Sequence, residues 1–391
     1  MSFRQGGTLL KFVIAPDSFK GSLTAKEVGL AIQKGLTKIY PESKVELVPM
    51  ADGGEGTVQA LTDATKGNFI QERVTDPLGR QVLASYGILG NSNTAVIEMA
   101  AASGLQFVDE NTRDPLKTTT YGTGQLILSA LNHGVKKIIL GLGGSATNDG
   151  GAGMAQALGA KLLAANGAEL AFGGGALDQL DKIDIQGVDS RIKDTQILIA
   201  SDVTNPLTGK NGASAIFGPQ KGATPAMITQ LDQNLAHYAD MIARDLGLKL
   251  KDVPGGGAAG GLGAGLLAFT NAKMERGIDI VVEYSELKKR AQDADFVLTG
   301  EGGIDYQTKF GKTPYGVALA TKSVAPTAPV IVLAGNVGDD IESLYHADSI
   351  DAVFSTPSGA KSLEQAIADS AHDIKQVAEN IARLIKTISE K

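Results

Sequence analysis

The chain contains no cysteine. That absence excludes a disulfide framework, a thiolate nucleophile and any sulfur-ligated metal centre. Histidine is nearly as scarce: His133, His237, His346 and His372 are scattered without metal-binding spacing. All four are expected to be structural or solvent-facing, which sets histidine aside as a catalytic base. Long apolar runs are missing as well, and the N-terminal apolar stretch is broken by Lys11 and stopped by Asp17. Neither a membrane helix nor a secretory signal is expected, and the protein is read as cytoplasmic. Basic clusters are short, none exceeding Lys288, Lys289 and Arg290, and the net charge is -7, so nucleic acid is not an expected partner.

Glycine is what the chain has in excess, with 49 in 391 residues and no collagen period to absorb them. Apolar residues make up 43% and charged residues 20%, the balance of a globular protein with a sizeable core. The length suggests two domains, one interrupting the other. From Lys11 an apolar segment, KFVIAP, leads into a polar loop, DSFKGSL, and then a helical pattern bearing Val28, Ile32, Leu36 and Ile39. Thr24 followed by Glu27 has the spacing of a capping box, which starts that helix. KVELVPM, ADGGEG and a second helix repeat the rhythm, and DFVLTG, PVIVLAG and DAVFS resume it before a final amphipathic run from Leu363. The two ends are therefore expected to share one parallel sheet, as residues 1–66 and 291–391, with residues 67–290 inserted as a second α/β domain. Residues 1–10 read as a ragged extension.

Ligands of open parallel sheets bind beyond the carboxyl ends of strands, where helix N-termini and loop amides face outward. Five unusual loops fall there: DSFKGS, ADGGEGT, GGSATNDGG after KKIILGL, DVTN after QILIAS, and GEGGID. Glycine allows close backbone approach, Ser, Thr and Asn supply hydrogen bonds, and Asp and Glu suit Mg²⁺ or a hydroxyl proton. That chemistry fits phosphoryl transfer, which depends on positioning and charge stabilisation. Lys20 would neutralise a phosphate or carboxylate, unless it is an ordinary solvated lysine. Asp17, Asp52, Glu55, Asp202, Glu301 and Asp305 all lie at strand ends, some of them as caps or turn formers. Mg²⁺ takes one or two carboxylates and keeps waters, leaving another to act as base, with Asp202 ranked first. The loop Gly143–Gly150 is expected to open a helix containing Met154, Leu158 and Leu162, either aiming amides at an anion or simply capped by Asp149. PGGGAAGGLGAG from Pro254 reads as a packed phosphate loop or a close helix contact rather than a linker.

Two motifs mislead. Gly311, Lys312 and Thr313 end like a Walker A loop, but Tyr306 stands where its first glycine belongs. GLGGSA from Gly141 satisfies a dinucleotide-binding pattern and supplies a rival reading, a nicotinamide-dependent dehydrogenase of a small hydroxy acid. A non-catalytic sugar-acid sensor is a third reading, disfavoured by six carboxylates that repel one another in a site built only for an anion.

Several segments together resemble the bacterial type I glycerate kinase family: FVIAPDSFKGSLTA, VPMADGGEGT, EMAAASGL, RDPLKTTTYGTGQLI, GLGGSATNDGGAGM, DVTNPLTGKNGASAIFGPQKGA and TGEGGID, in family order from about Lys11 to the C-terminal helix. The resemblance implies a Rossmann-like parallel-sheet domain, an inserted α/β domain and a cleft between them. It implies phosphorylation of D-glycerate by ATP with Mg²⁺, generally giving 2-phosphoglycerate; the assembly stays open between monomer and homodimer. The resemblance carries over a site of Asp17, Ser18, Lys20, Asp52, Gly53, Gly54, Glu55, the loop from Gly143 to Asp149, Asp202, Thr204, Asn205, Glu301 and Asp305; the roles are assigned from residue chemistry, with Asp202, Lys20 and Asp17 as catalytic residues. Ser18, Gly53, Gly54, Gly143, Gly144, Ser145, Thr147, Asn148, Thr204, Asn205, Gly255, Gly256, Gly257, Gly300 and Gly302 would bind the nucleotide, and Asp52, Glu55, Glu301 and Asp305 the metal. Gly255 to Gly257 would also serve as flexible points for closure. Gly303 departs from the family, where an arginine or another polar residue is frequent, so either affinity is weakened or another cation, Lys309 or Lys312, reaches the same place.

Overall fold

The computed structural model describes residues 9–90 and 92–389. Residues 1–8 of the expected extension lie outside the described residues. The strands are β1 (Lys11–Ile14), β2 (Lys44–Leu47), β3 (Asn68–Thr75), β4 (Gln81–Ile88), β5 (Thr94–Glu98), β6 (Lys137–Gly141), β7 (Lys161–Ala164), β8 (Leu180–Asp184), β9 (Gln196–Ala200), β10 (Ala272–Glu275), β11 (Phe296–Ile304), β12 (Val330–Val337) and β13 (Ala352–Ser355). The chain divides into two compact units. One holds the chain up to Asp52, Gln59–Lys66 and everything from Ile278; the other holds Gly53–Val58 and Gly67–Gly277.

The first unit is built on a five-stranded sheet in the order β13-β12-β11-β1-β2. Every pairing in it is parallel. Phe12, Val13 and Ile14 are fully buried, the unbroken apolar run required of a strand covered on both faces. Thr24 starts the helix Ala25–Ile39 as the capping box requires: its side chain accepts from the Glu27 amide, and Glu27 accepts from the Thr24 amide at 2.8 Å. Val28, Ile32 and Leu36 face inward against Ile374, Ala378 and Ile381 of the C-terminal helix Leu363–Ser389. Gly35 makes that packing close, since a Cβ there would lie 2.4 Å from the Lys375 carbonyl oxygen.

The unit begins again at Ile278 rather than at residue 291, and side chains explain why. Ile278 fills the space over Gly316, where a Cβ would lie 2.1 Å from its Cγ1. Ser285 reaches Met50 Sδ at 3.5 Å, and Arg290 donates to the Ala64 carbonyl at 2.7 Å. The helices Gly277–Tyr284 and Leu287–Ala291 are thereby tied to the first sheet.

The second unit is built on a six-stranded sheet in the order β10-β9-β6-β5-β4-β3, with a separate β7-β8 hairpin. β10, β9, β6 and β5 are parallel, and β4 and β3 continue the sheet antiparallel. One core packs the helix Tyr121–Asn132 with Leu126 and Ile127 against the sheet; another gathers Leu235, Tyr238 and Ile242 of the helix Pro225–Leu246 with the hairpin.

The expected helix through Met154, Leu158 and Leu162 is corrected to a short one, Ala152–Ala157. Leu158 caps it, Gly159 at φ 103° turns the chain, and Leu162 belongs to β7. The glycine tract is packed interior, with Gly255, Gly256 and Gly257 buried and Gly257 where a Cβ would lie 2.2 Å from the Pro206 carbonyl oxygen. Its expected role as a set of flexible points is corrected accordingly: backbone held this tightly cannot flex freely. Beyond it, Ala259, Gly260 and Gly261 run left-handed through the start of the helix Ala258–Phe269 and bring Gly265 within 2.4 Å, counted from an added Cβ, of the Gly150 carbonyl oxygen. Among the described residues no helix is long and apolar enough to cross a membrane.

Candidate active site

In the first unit the loop after β1 meets β11 at Gly300 and Gly302; the strand runs on to Ile304, so the expected strand end before Glu301 is corrected. The Asp17 amide donates to the Gly300 carbonyl at 2.9 Å, and Gly300 is a glycine because a Cβ would strike the Leu333 carbonyl oxygen at 2.4 Å. Gly302 lets the Phe19–Lys20 backbone lie alongside it, with the Lys20 nitrogen 3.4 Å from where its Cβ would be. Lys20 itself is exposed and Ser18 half-buried. Asp17 is buried; its Oδ2 accepts from Thr313 at 2.5 Å and its Oδ1 from the Ser18 amide at 2.6 Å. Burial drives its pKa up to about 6 against the pull of the Thr313 hydroxyl, and the negative charge of Asp52 adds to the rise.

Glu301 joins this group. Burial lifts its carboxyl to about 7; Lys312 opposes the rise, and Asp17 and Asp52 reinforce it. Lys312 Nζ stands 3.5 Å from Glu301 Oε1 and 3.3 Å from the Gly303 carbonyl, so a cation occupies the neighbourhood that Gly303 leaves without a side chain. Lys309 turns elsewhere, over the Phe310 ring. Glu301 Oε2 is buried with no hydrogen-bond partner. Asp305 has its own employment: it caps the turn Tyr306–Phe310 by accepting from the Gln307 amide at 2.8 Å.

In the second unit the ADGGEG loop meets the ends of β6 and β9. Gly53, at φ 95°, sits where a Cβ would be 2.5 Å from Gly277 Cα and 3.2 Å from Ala200 Cβ, and Gly54 lies beneath Gly143. Gly143 and Gly144 are exposed, whereas Ser145, Thr147, Asn148 and Asp149 are buried. Asp149 Oδ2 accepts from the Thr120 amide and hydroxyl, both at 2.9 Å, and from the Gly153 amide at 3.2 Å. It is a structural anchor beyond a simple cap; burial raises its pKa against these donors. Asp202 and Thr204 are exposed just past β9, Glu55 is exposed, and half-buried Asn205 donates to the Asn211 carbonyl at 2.8 Å.

Among the described residues no group of three or more His, Asp or Glu side chains is placed to hold a metal ion. What fits a cation is the orphaned Glu301 Oε2 beside two further negative charges, a donor set suited to a hydrated ion rather than a dry cage. Two residues escaped the sequence reading. Glu98, at the end of β5, accepts from the Val58 amide at 3.0 Å and holds the start of the helix Thr57–Thr65. Lys221 is fully buried and bonded to Ser145 and Thr147; desolvation draws its pKa down to about 7 and Asp149 opposes the fall. The segments EMAAASGL and GPQKGA were the available signals, but neither burial nor partner is visible in them.

Parallel sheets whose carboxyl-end loops carry buried carboxylates and tight glycine turns are the framework of an α/β enzyme, and the relatives place it among the phosphotransferases. The model of the glycerate kinase family matches residues 12–386, and the chain belongs to that family. It is 54% identical to the glycerate 2-kinase of Escherichia coli K12 over 95% of this chain and 97% of that one. It is 52% identical to the glycerate kinase of Bacillus subtilis 168, over 96% and 98%. A solved structure from Salmonella typhimurium LT2, assigned as glycerate kinase 2, superposes with a TM-score of 0.90 at 51% identity, covering 98% of this chain and all of that one. The dehydrogenase reading loses its structural context as well: after GLGGSA the chain runs through a loop, and the next helix starts only at Ala152.

Proposed function

We propose that the protein transfers the γ-phosphoryl group of ATP to the 2-hydroxyl of D-glycerate, giving 2-phospho-D-glycerate and ADP. The observation that carries this reading is the buried Asp17 carboxyl, raised to about 6 and steadied by Thr313 at the end of a parallel strand. A general base works best with a pKa near the working pH, and a carboxylate held by two donors keeps lone pairs for a substrate proton. Asp17 therefore suits the base role better than the exposed Asp202. The hydroxyl oxygen forms its bond to the γ-phosphorus, Asp17 takes the hydroxyl proton, and the bond to the bridging oxygen breaks, releasing ADP. Asp52 and Glu301 would hold Mg²⁺, which when bound supplies neutralising charge to the phosphates. Within the second unit, the amides of the exposed Gly143 and Gly144 would face anionic oxygens.

The relatives named as glycerate kinases support the substrate, and the Escherichia coli glycerate 2-kinase supports the position. A coupled ADP assay with D-glycerate and Mg·ATP tests the activity, and phosphorus NMR of the product tests the position. A 3-phosphoglycerate resonance would overturn the regiochemistry, and no glycerate-dependent ADP would overturn the reaction.

A further inference from the structure

Lys221 is the one lysine among the described residues that is fully buried. Its turn is pinned: the Lys221 amide donates to the Gly218 carbonyl at 2.9 Å, and Gly222 follows at φ 91°, where a Cβ would meet that of Arg113 at 2.7 Å. The side chain is directed inward, where Nζ lies 2.8 Å from Ser145 Oγ and 2.6 Å from the Thr147 carbonyl oxygen. An ammonium has donors and no acceptor, so Ser145 Oγ must accept from it. The serine hydrogen is left to point elsewhere, and among the described residues no acceptor takes it.

The loop is fixed from its other side too. Leu105 donates to the Gly144 carbonyl at 2.9 Å and Ala146 to the Ser103 carbonyl at 3.0 Å, so the Ser145 amide stays out of that bridge. Exposed Gly143 and Gly144 precede Ser145, which is 6% exposed at the rim. Behind it, Thr147 Oγ1 and Asn148 Oδ1 are buried without partners, an arrangement that isolated packing would not favour. Asp149 faces Lys221 with the opposite charge and favours the ammonium form.

We propose that Lys221 is a positioning residue of the anion-binding loop: it occupies the acceptor side of Ser145 and so commits that hydroxyl to donate outward, to an oxygen of the substrate carboxylate or of a nucleotide phosphate. The assignment rests on the kinase reading above and adds to it a lysine that never touches the reacting atoms. Its effect is on ligand affinity, transmitted through Ser145.

Wild type, Ser145→Ala, Lys221→Met and the double variant are to be titrated calorimetrically with D-glycerate and separately with Mg·ATP, and assayed for steady-state turnover. Each single variant is expected to raise Kd and KM for the same one of the two ligands by about tenfold, as loss of a charge-supported hydrogen bond does, with kcat much less affected. The double variant is expected to do little more than the stronger single, because both remove one relay. The ligand affected tells carboxylate from phosphate. Unchanged Kd for both ligands in Ser145→Ala overturns the proposal, as do additive effects or a Lys221→Met protein that loses only stability. If Lys221→Met does not fold, Ser145→Ala decides alone. Wild-type binding without turnover would sink the kinase reading and spare the relay; binding of neither ligand would sink both.

Discussion

At the level of single residues, two carboxyls with raised pKa values dominate. Asp17→Asn keeps the shape but cannot accept a proton, so kcat is expected to fall by about a hundredfold or more with KM for D-glycerate changed less. Asp202→Asn, assayed alongside, is expected to lose less; the opposite order would move the base to Asp202. Glu301 makes a prediction about stability. Its folded pKa of about 7 exceeds the ordinary 4.5, so between those values the folded chain binds more protons than the unfolded one, and stability falls as pH rises through the window. In EDTA, Glu301→Gln is therefore expected to gain on wild type between pH 4.5 and 7, by roughly 1–3 kcal/mol at about pH 8 after the lost Lys312 pair is offset. Thermal or urea unfolding across pH checks this; a difference independent of pH would show that Glu301 is not desolvated. Asp17 was legible in the sequence because it follows an apolar run where a parallel strand ends, whereas Glu301, expected at a strand end, lies inside β11, which runs on to Ile304. Lys221 was not, since lysines are rarely buried and its partner Ser145 lies 76 residues away.

At the level of elements, local signals were read well where they were chemical and badly where they were periodic. The Thr24–Glu27 box marks its helix start as spacing alone predicts, because both partners sit within one turn. The false helix through Leu162 arose because Met154, Leu158 and Leu162 recur at helical intervals, yet Gly159 tolerates φ 103° and lets the chain turn back as β7. The glycine tract was correctly read as packed, but its role in bringing helix and loop backbones together depends on Gly150, a residue remote in sequence. These packings have measurable weight. Thr24→Ala is expected to cost about 1 kcal/mol as a lost cap. Gly35→Ala is expected to cost more, on the order of 2–3 kcal/mol, because its Cβ would strike the backbone at Lys375 and force two helices apart. Denaturant melts should rank them so, with KM values at wild-type level in both; the reverse ranking would mean that the helix pair yields easily.

For the whole molecule, the alternation of strand and helix at both chain ends disclosed the α/β class, while composition shifts were too faint to mark where the second unit ends. That boundary is set by Ile278 lodging over Gly316, a tertiary fit with no local signature. The raised carboxyls also predict that Mg·ATP stabilises the protein beyond ATP with EDTA, seen as a higher Tm by scanning calorimetry. Equal shifts would separate the acidic cluster from the metal. The arrangement of the first sheet also bears on synthesis. β1 sits between β2 and β11, with Phe12 opposite Phe296. A nascent polypeptide therefore leaves the ribosome tunnel with one flank of its first strand unpaired until translation has advanced 284 codons. Throughout that wait the strand edge is open to stray pairing, and the inserted unit completes its own sheet with β10 only about 20 residues before β11 begins.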